Sequence, residues 1–426
     1  MSAIRRLLTT ALCLWIAATP AGSTAAVNIE FGNNSKWEEL IVARFNELYE
    51  GRIQVSVRQN ASGEDLLVAV AGGNPPSVAV VDRFEVGSLA AAGVVIPLDA
   101  WIERDNIKPE DFFKPAWDEA VYQGQVYAIP RNTDTRALYF NKQLFRESGL
   151  DSEQPPRTWE EMVAFGRRID RWEGDRLVQV GWAPHWGNWY FPGWLWSAGG
   201  SILDPSNQEV TWDGPEGIRA IEWMDEQLQY YGRSTLKAFS SEYGNSFYNG
   251  RVGMEINTPG RAETLINNYP DIDWSLAYPP RPEGLEDTPV SWSGGHALAI
   301  PYGAPHPEAG WEFIKFYASL EAQLIVSRVP RMPVLRSAAT SPDFLEVHPH
   351  MLTFVELMPY SKFRPVVPVA SELYALYRQE TADLLEEGRL PAAEIVRATA
   401  QRARQILSES LARSSGAGRI QEVRSQ

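Results

Sequence analysis

The sequence predicts an α/β layered fold, with helices covering a mostly parallel sheet, and three observations carry that prediction. Short apolar runs alternate with amphipathic helical segments from Val27 to Gly93, the rhythm of stacked β-α-β units. One run, Val78–Val81, is continuously apolar, as befits a strand buried on both faces. The composition, 44% hydrophobic and 22% charged over 426 residues, supplies enough apolar surface for a real core and, at ~150 residues per domain, for two to three domains.

The elements follow in order. Val27–Phe31 reads as a strand running into the polar turn Gly32–Asn34. Ser35 and Glu38 match a capping box, opening a helix to about Tyr49 with Leu40, Ile41, Phe45 and Leu48 on one face. Ile53–Val57 alternates like a strand; Glu64–Ala71 and 84–92 read as helices, and Gly93 stops the latter. A break falls at Ile129–Arg136, where Pro130 ends a strand, and Ala137–Asn141 follows as the next. A second capping box, Thr158 with Glu161, opens a helix to about Arg171. Further helices are expected at 215–231, 242–249, 307–319, 371–386 and 391–410, with short strands at Val252–Ile256 and Ala297–Pro301. The small, polar tail after Ser414 reads as disordered.

The first 26 residues stand apart. Arg5 and Arg6 precede the apolar run Leu7–Ala18, and Pro20 leads into small residues up to Ala26. This is the pattern of a secretory signal peptide, with cleavage after Ala26. The run falls short of the ~20 apolar residues a membrane span needs. Cys13, the single cysteine, would leave with it, and losing Arg5 and Arg6 takes the formal charge from −15 to −17. Without another cysteine there is no internal disulfide and no cysteine-rich metal site. The acidic balance, 54 acidic against 39 basic residues, argues against nucleic acid as partner.

Signatures of phosphate loops, zinc proteases, nucleophile elbows and dinucleotide folds are all missing. Two features point to a ligand. Trp182, Trp186, Trp189, Trp194 and Trp196 crowd one segment together with Gly187, Asn188, Pro192 and Gly193, which reads as a loop-rich stretch. Aromatic faces there can stack on a pyranose or a cation, although a core role is open for each ring. Polar residues also gather at predicted strand ends: Asn33, Asn34 and Ser35; Asp82 and Arg83; Arg131, Asn132 and Asp134; Ser293, Gly294, Gly295 and His296. Ligands of open α/β sheets bind at the carboxyl ends of strands, and these side chains suit paired hydrogen bonds to vicinal hydroxyls. Turn and capping roles compete, most clearly at Asn33 and Ser35.

Collinear segments then resemble the extracellular solute-binding proteins of sugar-type ABC transporters, over about 30 to 410. They are Val81-Asp-Arg-Phe84, Leu89-Ala-Ala-Ala-Gly-Val-Val-Ile-Pro-Leu-Asp99, Gly124-Gln-Val-Tyr-Ala-Ile-Pro130 and Ala137-Leu-Tyr-Phe-Asn-Lys-Gln-Leu-Phe145. Pro156-Arg-Thr-Trp-Glu-Glu161, Phe247-Tyr-Asn-Gly-Arg-Val-Gly-Met-Glu-Ile-Asn257, Ser293-Gly-Gly-His-Ala-Leu-Ala-Ile-Pro301 and Pro307-Glu-Ala-Gly-Trp-Glu-Phe-Ile-Lys-Phe316 complete the series. The resemblance implies the two-lobe, type II periplasmic-binding-protein fold, with three hinge crossings near 131–136, 289–296 and 340–348. The N-terminal lobe would comprise 27–133 plus 294–342, and the C-terminal lobe 134–293 plus 343–412, with 413–426 as the tail.

The resemblance also implies a non-enzymatic, periplasmic receptor, monomeric and without cofactor or metal, that passes a carbohydrate to a membrane permease. By position, Asp82 and Arg83 would bond sugar hydroxyls, Asp134 would be a cleft carboxylate, and Trp189 and Tyr374 would stack on the sugar. Asn34, Trp37, Arg131, Trp186, Trp292, Gly294, Gly295, His296, Arg331 and Arg364 complete the candidate ligand set. Ala79 and Gly260 stand where maltose-binding members carry tryptophans, so the platforms differ. Two alternatives stay open. One is a glycerol-3-phosphate or glycerophosphodiester receptor, with Gly294-Gly295 and cleft arginines on the phosphate. The other is a secreted glycosidase using Asp82 and Asp134, which requires carboxylates ~5 to 9.5 Å apart.

Overall fold

The computed structural model describes residues 26–32, 38–58, 64–244, 247–328, 331–346 and 348–424, with side chains through 413. Strands β1 (Val27–Gly32), β2 (Ile53–Arg58) and β3 (Val78–Asp82) come first, separated by helices Glu39–Leu48 and Glu64–Ala71. They are followed by β4 (Ile129–Pro130), β5 (Ala137–Asn141), β6 (Met254–Asn257), β7 (Trp274–Ala277), β8 (Ser291–Trp292), β9 (His296–Ala299) and β10 (Ser361–Lys362).

One sheet has the order β2-β1-β3-β9-β4. β1 runs parallel to β2 and β3, whereas β9 pairs antiparallel with β3 and β4. The expected parallel arrangement therefore holds for the first three strands, which are joined by crossover helices. The second sheet, β6-β5-β7, is antiparallel throughout. β5 is buried along its whole length.

Chain segments pass between the two sheets from β4 to β5 and from β7 through β8 to β9. These passages are tied together: Asp134 bridges Gly294, Thr133 bridges Met332, and β8 lies parallel to β10. A cluster of buried hydroxyls joins them, with Thr135 on Ser361 at 2.9 Å and Ser291 donating to the Arg136 carbonyl at 2.7 Å.

Local signals fared unevenly. The Thr158–Glu161 capping box is complete, with both reciprocal bonds formed. Ser35 of the other lies outside the described residues, as does most of the signal segment. Glu38 makes no side-chain cap; its carboxylate pairs with buried Arg131 and accepts from Tyr317 at 2.9 Å. The expected helix 84–92 divides into a tight turn, Arg83–Glu85, and a helix, Val86–Ala91. The expected helix 242–249 is replaced by helix Arg233–Tyr243 and a turn, Phe247–Asn249, because Gly244 at φ +76° ends the first. The run 371–386 holds a six-residue π-helical stretch, Ala375–Glu380, between Ala370–Tyr374 and Thr381–Glu387. The last helix, Ala392–Arg424, continues through the segment read as a disordered tail; an established helix needs no new nucleus to propagate.

Candidate functional site

The tryptophan-rich segment is built into the core. Tyr190–Ser197 is a helix, not a loop, and Trp182, Trp186, Trp189, Trp194 and Trp196 are all buried. Trp159 and Trp182 stack on Trp223 with centroids 4.3 and 5.0 Å apart, Trp186 stacks on Phe239, and Trp189 meets Trp194 edge-on. A Cβ at Gly193 would come within 2.3 Å of the Trp189 ring. The glycines and proline that suggested a loop are therefore packing devices. Trp186 and Trp189, expected to meet a ligand, are instead packed among aromatic rings of the core. Trp292 is buried too, against Trp196 and beneath the Arg136 guanidinium at 4.3 Å.

The strand-end residues do come together. Asp82 ends β3, caps the Arg83–Glu85 turn by accepting from the Phe84 N–H, and accepts from Arg364 Nη2 at 2.8 Å. Arg83 is fully buried: Nε donates to Glu119 at 3.0 Å and Nη2 to the Ser293 hydroxyl at 3.0 Å, with further bonds to the Asn132 and Gly294 carbonyls. Glu119, also fully buried, accepts from Arg364 Nε at 3.2 Å. Asp134 accepts from Arg136 Nη1 at 2.6 Å, and Arg136 also reaches the Trp292 carbonyl.

Three guanidiniums, Arg83, Arg136 and Arg364, thus face three carboxylates, Asp82, Glu119 and Asp134. Burial works against the Arg364 charge, but Asp82 and Glu119 outweigh it and raise its pKa. Burial lowers that of Arg136, with Asp134 opposing. Arg83 is therefore a buried tie between strand ends, not a ligand contact as expected, and Arg364 holds Asp82 in place.

Gly294 and Gly295 serve this network. The Gly294 N–H is taken by the Asp134 carbonyl. Gly295, at φ +131°, admits Arg83, whose Nη1 would lie 2.8 Å from a Cβ there. They make room for arginine and do not form an open phosphate cradle.

His296 is half-buried beside Asn132, and burial lowers its pKa to about 4, so the ring is neutral at pH 7. Arg131 donates its backbone N–H to the His296 carbonyl at 3.1 Å, and its side chain is buried on Glu38. Arg331 faces Glu263 at 3.5 Å on the second sheet's side. Asn34 and Trp37, like Asn33 and Ser35, lie outside the described residues.

A different set of rings lies partly open beside Asp82. Tyr374 is half-buried, and its ring meets Phe84, directly after Asp82 and Arg83, at 5.2 Å. Arg364 lies over Phe84 at 4.4 Å. Arg378 lies over Tyr190 at 4.1 Å and near Tyr374 at 5.8 Å. Tyr190 has φ +48°, uncommon for a bulky side chain. Its neighbour Asn188 is anchored on β6 through its N–H to the Ile256 carbonyl at 2.8 Å, and its side chain touches Arg136. Gly187 permits that approach, since a Cβ would lie 2.4 Å from the same carbonyl oxygen.

Sequence reasoning did not single out Glu119, Arg136, Tyr190 or Arg378. Glu119 and Arg378 sit in ordinary helical patterns, and Arg83 and Arg364 on Glu119 and Tyr190 beneath Arg378 are remote in sequence.

A concavity of about 1350 Å³ lies between Phe112, Phe113 and Trp117 on one side and Trp196, Ile202 and Leu203 on the other. Its lining carries Lys114 paired with Asp118, and also Asp204, Arg336 and Lys362, but none of the residues of the candidate ligand set.

The sequence profile of bacterial extracellular solute-binding proteins matches residues 30–324. The chain belongs to this family. The sn-glycerol-3-phosphate-binding periplasmic protein UgpB of Pectobacterium atrosepticum is 25% identical over 344 residues, covering 74% of each chain. A maltotriose-binding protein of Pyrococcus abyssi is 22% identical over 321 residues, covering 74% of this chain and 67% of that one. Among solved structures, a solute-binding protein of Thermotoga lettingae bound with α-D-tagatose superposes with a TM-score of 0.75 at 23% identity, covering 90% of this chain and all of that one. The sugar-binding protein MalE of Xanthomonas citri gives the same TM-score and identity, covering 90% and 98%. The fold is that of type II periplasmic binding proteins. The family is one of extracellular solute-binding proteins, which places the chain outside the cytoplasm.

Proposed function

We propose that this protein is the periplasmic receptor of an ABC importer, exported by its first 26 residues, and that it binds a carbohydrate between two lobes. The lobes would be 27–133 with 294–342, and 134–293 with 343–412, closing around the ligand as one rigid body moves on another. The observation that carries the ligand class is the joining of half-exposed Asp82 and Asp134, each oriented by an arginine, to the Phe84–Tyr374 wall. Oriented carboxylates accept from vicinal hydroxyls, and a flat ring covers the C–H face of a pyranose. Ligand binding selects the closed form, which the permease recognises. The sugar-named relatives support the same class.

Glycerol 3-phosphate is the competing ligand, because a relative of similar identity is named for it. The strand-end arginines speak against a phosphate there, each being already held by carboxylate. The same pairing leaves Asp82 and Asp134 unsuited to acid–base work on a glycoside.

A thermal-shift screen of mono- and disaccharides, polyols and glycerol 3-phosphate tests this reading. A sugar at 100 times its Kd is expected to add about 2.7 kcal/mol of stability. Stabilisation by glycerol 3-phosphate and by no sugar, or turnover of chromogenic glycosides at enzymatic rates, would overturn it.

A further inference from the structure

The cleft's arginines are not alike. Arg83, Arg136 and Arg364 each meet a carboxylate within 3.2 Å. Arg378 sits one helical turn after Tyr374, and among the described residues it has no carboxylate partner. Nη1 donates to the Gln379 side chain at 2.9 Å. Nε is buried with no acceptor, and Nη2 has none either. The unfilled Nε–Nη2 edge is the side of a guanidinium that takes a carboxylate or phosphate through two parallel bonds.

Two further features hold it there. The guanidinium lies over Tyr190 at 4.1 Å and over Tyr374 at 5.8 Å. Its backbone lies in the π-helical stretch Ala375–Glu380, and that of Tyr190 is in the left-handed region. Both conformations are disfavoured locally and recur where a site imposes them. A buried N–H left without an acceptor costs about 1–3 kcal/mol, a penalty that a ligand oxygen removes.

From these contacts the geometry points to Arg378 as the specificity residue for a negatively charged group on the ligand: the carbohydrate is an acidic one, a uronate or a sugar phosphate. This rests on the carbohydrate reading above and narrows it. Asp82 and Asp134 take hydroxyls at the strand ends, and the acidic group lies on the Tyr190–Tyr374 wall.

Isothermal titration at ~0.15 M salt of matched pairs tests the assignment: glucose against glucuronate, galactobiose against digalacturonate, and glucose against glucose 6-phosphate. The wild-type protein is expected to prefer one acidic series by at least about tenfold. Whether uronate or phosphate wins identifies the anion. Arg378→Gln should reduce that preference to about twofold, and Arg378→Lys, which keeps the charge but loses the fork, should restore only part of it. Arg146→Gln, removing a surface charge paired with Asp273, should leave the preference intact.

A neutral sugar bound as tightly as its acid by the wild-type protein overturns the role of Arg378 and leaves the carbohydrate reading standing. Binding of glycerol 3-phosphate alone, lost in Arg378→Gln, overturns the carbohydrate reading and keeps the anion at Arg378. No binding by any of these probes overturns both.

Discussion

Two aromatic groups of this molecule contrast. Between Trp182 and Trp196, five tryptophans lie within a short segment, and all are buried: Trp182, Trp189 and Trp194 cluster with Trp159 and Trp223, Trp186 stacks on Phe239 and Trp196 meets Trp292. At the strand ends, Phe84, Tyr190 and Tyr374 come from distant parts of the chain, remain half-buried and carry arginines on their faces. The density of aromatics along this sequence reflects local packing, whereas the partly open rings are assembled from distant segments across the fold. Interleaved glycine and proline do not separate the two cases, because Gly193 makes room for a ring.

Substitutions that act on one group and spare the other sharpen the contrast. The largest effects are expected in the core. Trp189→Ala removes a fully buried ring and should cost about 3–5 kcal/mol of stability, seen in chemical denaturation of the ligand-free protein. Glu119→Ala leaves Arg83 and Arg364 buried without their shared carboxylate, and a loss of similar size, about 3–5 kcal/mol, is expected. If Trp189→Ala instead keeps its stability and loses only ligand affinity, the division between core and wall is wrong.

Tyr374→Ala should behave oppositely. Affinity should fall by about tenfold, or 1.4 kcal/mol, while the ligand-free melting temperature stays near that of the wild type. A large fall in melting temperature without loss of affinity would return Tyr374 to the core.

The smallest effect distinguishes the groups by pH. His185, beside Trp186, and His296, at the strand ends, both have their pKa lowered from 6.5 to about 4 by burial. A folded value below the unfolded one means that the stability each neutral ring supports is complete above pH 6.5 and lost as pH falls toward 4. The stability difference between wild type and His296→Gln should therefore shrink from pH 7 to pH 5. Saturating ligand should shift the titration of His296, read by NMR of the imidazole protons, and leave that of His185 in place. Equal shifts at both would remove the distinction.

How far the sequence reached follows from the range of each interaction. The Thr158–Glu161 capping box involves residues three apart, so it was legible and is complete. The Val78–Asp82 strand announces itself by its apolar run, and the polar residues after it do gather with those before β5 and around β9. The function of Arg83 was not legible, since its partners Glu119 and Ser293 are separated from it by 36 and 210 residues. Glu38 looked like half of a capping box and is instead the counter-ion of Arg131.

By itself the sequence determined the α/β alternation, the strand ends as the place where polar residues converge, and the family to which the chain belongs. Each depends on local periodicity or on a linear order of segments. Tertiary structure alone decided which rings are buried and which arginines are already neutralised. Burial and charge pairing are set by residues that become neighbours only after the chain has crossed between its two sheets.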